Sequence, residues 1–103
     1  MPKVTVESGV CNFRTEIKAE AWDFTHCHLE IETNCPNIKK IASRLDGDLN
    51  PFDEISFKKS HLHSLFVEYS PHAACPVLSG MVKAIEVAAG LALPKDAHIF
   101  VEK

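Results

Sequence analysis

The chain has no long apolar run. No stretch approaches the roughly 18 to 20 residues a membrane span requires, and "MPKVTVESG" carries no hydrophobic signal core behind its single lysine. The expectation is a cytoplasmic protein that stays off the membrane. A basic excess is missing too. Eleven Lys and Arg against fourteen Asp and Glu leave a formal net charge of -3, and the basic residues are scattered rather than striped, which argues against nucleic acid as a partner. Glycine is scarce: the four are isolated, and "SGMVK" at residues 79 to 83 lacks the glycine spacing that cradles a phosphate. Repeats, low-complexity tracts and linkers are also absent, so the 103 residues, 46% of them hydrophobic, read as one domain, 1–103, built around one core. Ser70 and Ser79 stand near His72 in sequence without an orienting carboxylate, so no catalytic residue is assigned and a non-enzymatic protein is expected.

What is present is a clear succession of periodicities. "KVTV" at residues 3 to 6 is short and β-branched, and Ser8-Gly9 marks a turn leading to a loop with Cys11. Phe13, Thr15, Ile17, Ala19 and Ala21 then alternate with Arg14, Glu16, Lys18 and Glu20, as in a strand buried on one face. After a turn through Trp22-Asp23-Phe24, Cys27, Leu29 and Ile31 alternate with His26, His28, Glu30 and Glu32, completing an antiparallel hairpin. Ile38, Ile41, Ala42 and Leu45 recur at helical spacing from Pro36 to about residue 45, with Gly47 placed to close the helix. Asn50-Pro51 starts a single turn. Leu62, Leu65, Phe66 and Tyr69 indicate a middle helix, and Leu78, Met81, Val82, Ile85, Ala88, Ala89 and Ala92 form the wide apolar stripe of a largely buried one, ended by Pro94. "AHIFVEK" closes the chain as a fourth strand over 97–102, with Ala97, Ile99 and Val101 on one side. The expected fold is α+β, an antiparallel sheet of about four strands packed against two or three helices in the order βββαααβ.

Two of these helices start with Cys-Pro, in "TNCPNI" and "SPHAACPV". Proline is favoured at the first helical position, which puts Cys35 and Cys75 at N-caps, where unpaired N–H groups and the helix dipole favour thiolate. Ser, Thr, Asp and Asn are the usual caps, so capping alone does not account for two cysteines. Cys11, in the loop between the first two strands, falls by topology at the same end of the sheet. Three thiolates brought together repel unless a cation sits among them, and His72, three residues before Cys75, can supply a fourth ligand of the type that zinc and iron accept or stand as a loop histidine. Cys27 shares the phase of Leu29 and Ile31 and reads as core filling. The pairs His26/His28 and His61/His63 read as solvated side chains rather than surface chelates.

This placement of cysteines resembles the NifU/IscU-type iron-sulfur cluster scaffolds, which carry one cysteine in a strand-to-strand loop, one at the start of the helix after the sheet and one, beside a histidine, at the start of a late helix. Cys11, Cys35 and Cys75 match in role and order, and His72 stands near the expected histidine; the likeness covers roughly residues 3 to 92. It implies an iron-sulfur cluster or zinc as cofactor, and sulfur-transfer or iron-sulfur assembly proteins as partners. The chain departs from the scaffolds in having Asn12 and Phe13 where they have an aspartate, in Ala73 and Ala74 between histidine and cysteine, in its extra last strand and in lacking their leading helix. It also resembles small uncharacterised prokaryotic proteins, a likeness that implies no function. Beside metal or cluster binding stand two alternatives: a thiol-based carrier that relays a persulfide through Cys35 or Cys75, and an interaction module using the polar hairpin face.

Overall fold

The computed structural model describes residues 1–45, 47–70 and 72–103. Three strands, β1 (Lys3–Glu7), β2 (Arg14–Ala21) and β3 (Cys27–Thr33), form an antiparallel sheet in the order β1-β2-β3. Four helices follow: α1 (Pro36–Ser43), α2 (Pro51–Glu54), α3 (His61–Tyr69) and α4 (Val77–Ala88). The architecture is α+β, with every helix after the sheet.

Register follows from alternation, because a slip of one residue would turn the apolar set of a strand to water. Val4 lies opposite Ile17, which lies opposite Ile31, and Ala19 lies opposite Leu29, so one face of all three strands is apolar. Ile17 and Ala19 are fully buried there against Ile38 and Ile41 of α1, Leu62, Leu65 and Phe66 of α3, and Met81, Ala84 and Ile85 of α4. The other face carries Lys3, Glu7, Arg14 and Glu16, joined by ion pairs at 3.5 to 3.8 Å. α4 approaches the sheet through Gly80, where a Cβ would run into Val6 Cγ2 and lie 3.4 Å from Val4 and Ile17. α1 is tied to α3 by Lys40 and Arg44, whose charges lie 5.6 and 5.4 Å from the centre of the Tyr69 ring.

Three expectations need correction. The sheet has three strands rather than four: residues 97–102 are exposed and form no strand. Their alternation makes them able to pair but supplies no edge to pair with. The last helix stops at Ala88, six residues short of Pro94. Gly90, at φ +75°, donates to Val87 O at 3.1 Å while Leu91 N–H reaches Glu86 O at 2.8 Å, so a left-handed glycine turns the chain before the proline has any role. α1 likewise ends at Arg44, whose N–H bonds Ile41 O, without using Gly47. Among the described residues, no helix is long and apolar enough to cross a membrane.

Candidate functional site

The connection between β1 and β2 is a tight loop. Ser8 N–H donates to Phe13 O and Asn12 N–H to Gly9 O, with Gly9 at φ +82° and Asn12 at φ +60°, a conformation that glycine and asparagine adopt at least cost. Cys11 sits in this turn, exposed to solvent.

Cys35 follows the far end of β3. It is the N-cap of α1, in extended backbone (φ -72°, ψ 121°) with Pro36 in the first turn, and its carbonyl accepts the first helical bond from Lys39 N–H at 2.9 Å. Its sulfur makes no capping bond. Its own N–H donates to Thr33 Oγ1 at 3.2 Å, and that hydroxyl lies 2.8 Å from Thr15 Oγ1 on the central strand. The position of Cys35 is thus set by a side-chain chain running from the middle of the sheet. The thiol is half-buried and packs at the rim of the core.

Cys75 differs from its expected place by one residue. Pro76 is the N-cap of α4, because its carbonyl accepts Gly80 N–H at 3.1 Å, and Cys75 precedes it. The Val77 N–H, one of the unpaired donors of the helix start, acts to lower the pKa of the thiol. The effect on its acidity is nonetheless the reverse of what a helix mouth suggests. Burial raises the pKa of this half-buried thiol, the Val77 N–H only partly offsets that, and the neighbouring charges of Cys35 and Cys11 push it up further. Backbone placement puts the three cysteines at one end: Val6 lies opposite Thr15 and Thr15 opposite Thr33, beside the β1–β2 turn and Cys35, and α4 starts away from the Ala21–Trp22 end where it finishes.

His72 is exposed, and its carbonyl accepts Cys75 N–H at 3.3 Å, closing the turn that aims Cys75 at the helix. The thiols share one end of the molecule, but among the described residues no three His, Cys, Asp or Glu side chains are gathered closely enough to hold a metal ion. Cys27 is fully buried, as its strand phase implies. Burial, then the charges of Glu54 and Asp48, push its thiol up to about 11. The histidine pairs diverge. His26 Nδ1 lies 3.0 Å from Asp23 Oδ1 while the His28 ring lies 5.1 Å from Trp22, and His63 meets Phe57 edge-on at 5.7 Å.

Two carboxylates organise the structure without any mark in the periodicity. Asp23 accepts Thr25 N–H at 2.7 Å and the Thr25 hydroxyl at 2.9 Å; the Thr25 N–H, the His26 ring and that hydroxyl hold its carboxyl down to about 2. The signal for it is local, an aspartate two residues before a threonine in a hairpin turn. Glu54, only 3% exposed, accepts Ser60 Oγ at 3.1 Å, His61 N–H at 3.0 Å and Leu62 N–H at 2.9 Å, placing a carboxylate on the positive end of α3. No local signal announces it, since its partners lie six to eight residues away in a different element.

A family described as a family of unknown function (DUF6951) matches residues 2–101 of the chain. No curated protein and no solved structure matches it.

Proposed function

Since the chain belongs to that family, whose function is unknown, we propose from its own residues that it binds a thiophilic metal centre, zinc or an iron-sulfur cluster, through Cys11, Cys35 and Cys75, with His72 as a further ligand. One observation carries the reading: the β1–β2 turn with Cys11, Cys35 just after β3 and Cys75 just before α4 all lie at the end of the sheet opposite to where α4 finishes beside Ala21 and Trp22. A thiophilic cation would hold thiolates brought together there, which otherwise repel one another. Metal binding there would displace the thiol protons. The donor set suits soft, thiolate-preferring metals rather than magnesium or calcium. Cys35 is held through its N–H by the Thr33 hydroxyl and Cys75 stands just before α4, whereas Cys11 lies on a solvent-exposed turn where an incoming ion can reach it.

In this reading the protein works in the cytoplasm, where reduced thiols persist, and its partners are proteins of sulfur transfer or iron-sulfur assembly. Purification without oxygen or chelator, followed by elemental analysis and an absorption spectrum, tests it. Wild-type and Cys27→Ser protein should retain the same metal content, Cys75→Ser should retain none, and His72→Ala should retain less. Wild-type protein that carries no metal and gains no thermal stability from zinc, or from iron with sulfide, overturns the reading. Persulfide relay through Cys35 or Cys75 would then take its place, checked by mass spectrometry for one added sulfur after treatment with a polysulfide, whose S–S bond the thiolate cleaves with release of the shortened polysulfide.

A further inference from the structure

The C-terminal segment is the most exposed apolar stretch of the molecule. Ile99, Phe100 and Val101 are 82%, 87% and 89% exposed, and among the described residues no backbone hydrogen bond reaches 96–103. The His98 and Phe100 rings stack at 5.7 Å, nearly parallel, as side chains two apart on a strand do. The matched family runs to residue 101, so the segment is part of the family unit and not an appendage to it. The same chain also has an edge without a strand. Among the described residues β1 pairs with β2 alone, leaving its outer N–H and C=O groups unpaired, while the outer edge of β3 is occupied at its start by Leu49, which exchanges hydrogen bonds of 2.8 and 2.7 Å with Cys27.

The direction of the segment decides which chain it can serve. α4 ends beside Ala21 and Trp22, at the end of the sheet where β1 begins, since Lys3 lies opposite Lys18 and Pro2 O accepts Ala19 N–H. A strand leaving α4 there can run along its own β1 only in the parallel sense. The antiparallel sense has the better side-chain complementarity. With Val4 opposite Val101 and Val6 opposite Ile99, Lys3 falls opposite Glu102 and Glu7 opposite His98. The apolar pair then extends the face that Val4 and Val6 present to α4, and the charged pairs lie on the open face. To reach that register from its own α4, the segment would have to traverse the whole length of β1 before turning back, and the Leu93–Lys95 turn and Pro94 shorten the few residues available.

We propose that residues 97–102 are the missing edge strand of a second copy of this chain, pairing antiparallel with its β1 while that copy returns the same segment. Each copy offers one strand and one edge, so the exchange closes a two-fold dimer with both β1 edges filled.

Sedimentation of the full chain under reductant, which removes any disulfide-linked species, tests this. Twice the chain mass is expected. The double variant Ile99→Lys/Val101→Lys should sediment as a monomer with an unchanged circular-dichroism spectrum, because these side chains are exposed within one copy and burden only the pairing. Lys3→Glu should weaken dimerisation about tenfold, since the unfavourable contact with Glu102 occurs twice. Adding Glu102→Lys should restore it, which a loss of folding would not allow. A wild-type monomer, or a dimer that survives the double lysine variant, overturns the proposal; a monomer whose 97–102 amides resist exchange would show that the segment pairs within its own chain.

Discussion

The Thr15 and Thr33 hydroxyls lie 2.8 Å apart in the sheet, and Thr33 uses its remaining capacity to accept Cys35 N–H. Replacing Thr33 by valine leaves both Thr15 Oγ1, which is fully buried, and that N–H without a partner. Thr33→Val should therefore cost about 1 to 2 kcal/mol in urea unfolding and speed alkylation at Cys35. The double variant Thr15→Val/Thr33→Val should recover part of the loss, because removing both hydroxyls strands only the N–H.

Glu54 offers a larger effect. Its buried carboxylate satisfies two backbone donors at the start of α3 as well as Ser60. Glu54→Ala should destabilise the protein by about 2 to 3 kcal/mol, and Glu54→Gln by less, because an amide carbonyl can still accept from the helix start. Denaturant midpoints for the two variants check both the size and the order.

Cys27 predicts an alkaline limb. The folded protein holds its thiol proton up to about 11, whereas the unfolded chain releases it near 9.0. The raised value favours the folded state fully below pH 9, and that contribution is lost as pH rises from about 9 to about 11, a decline of about 2 to 3 kcal/mol. Comparing wild type with Cys27→Ala over this window isolates it: the variant should be less stable at pH 7 and should lose less stability on going to pH 11.

At Gly80 two effects oppose each other. Alanine is better than glycine in a helix by about 1 kcal/mol, but its methyl would meet Val6 Cγ2 at the helix-sheet contact. Overpacking of this kind costs about 1 to 3 kcal/mol, so Gly80→Ala should lower the melting temperature rather than raise it.

Much of this architecture is written in periodicity. The two-residue alternation from Thr15 to Ala21 and from Cys27 to Ile31 determined the hairpin, its buried face and the burial of Cys27, because a strand exposes alternate residues to opposite sides whatever surrounds it. The 3.6-residue spacing of Ile38 and Ile41, of Leu62, Leu65 and Phe66, and of Met81 and Ile85 determined three helices and their core faces for the same reason. Cys-Pro marked the starts of α1 and α4 to within a residue.

Tertiary structure alone decided the rest. Residues 97–102 alternate as a strand does, yet pairing requires an edge running in the right direction, and where α4 ends determines whether the chain can offer itself one. The Cys75 thiol was expected to be acidic from its place at a helix mouth. Its pKa instead goes up, because desolvation and the charges of Cys35 and Cys11 depend on what packs around it, and the single Val77 N–H that local structure supplies does not outweigh them. Glu54 has no local pattern at all: a carboxylate becomes the cap of α3 only when the loop after α2 folds it under that helix. Sequence determines what a segment can do where the interaction lies within one turn or one pleat. Which partner it meets, and hence the charge state of its cysteines, depends on distances that only the folded chain establishes.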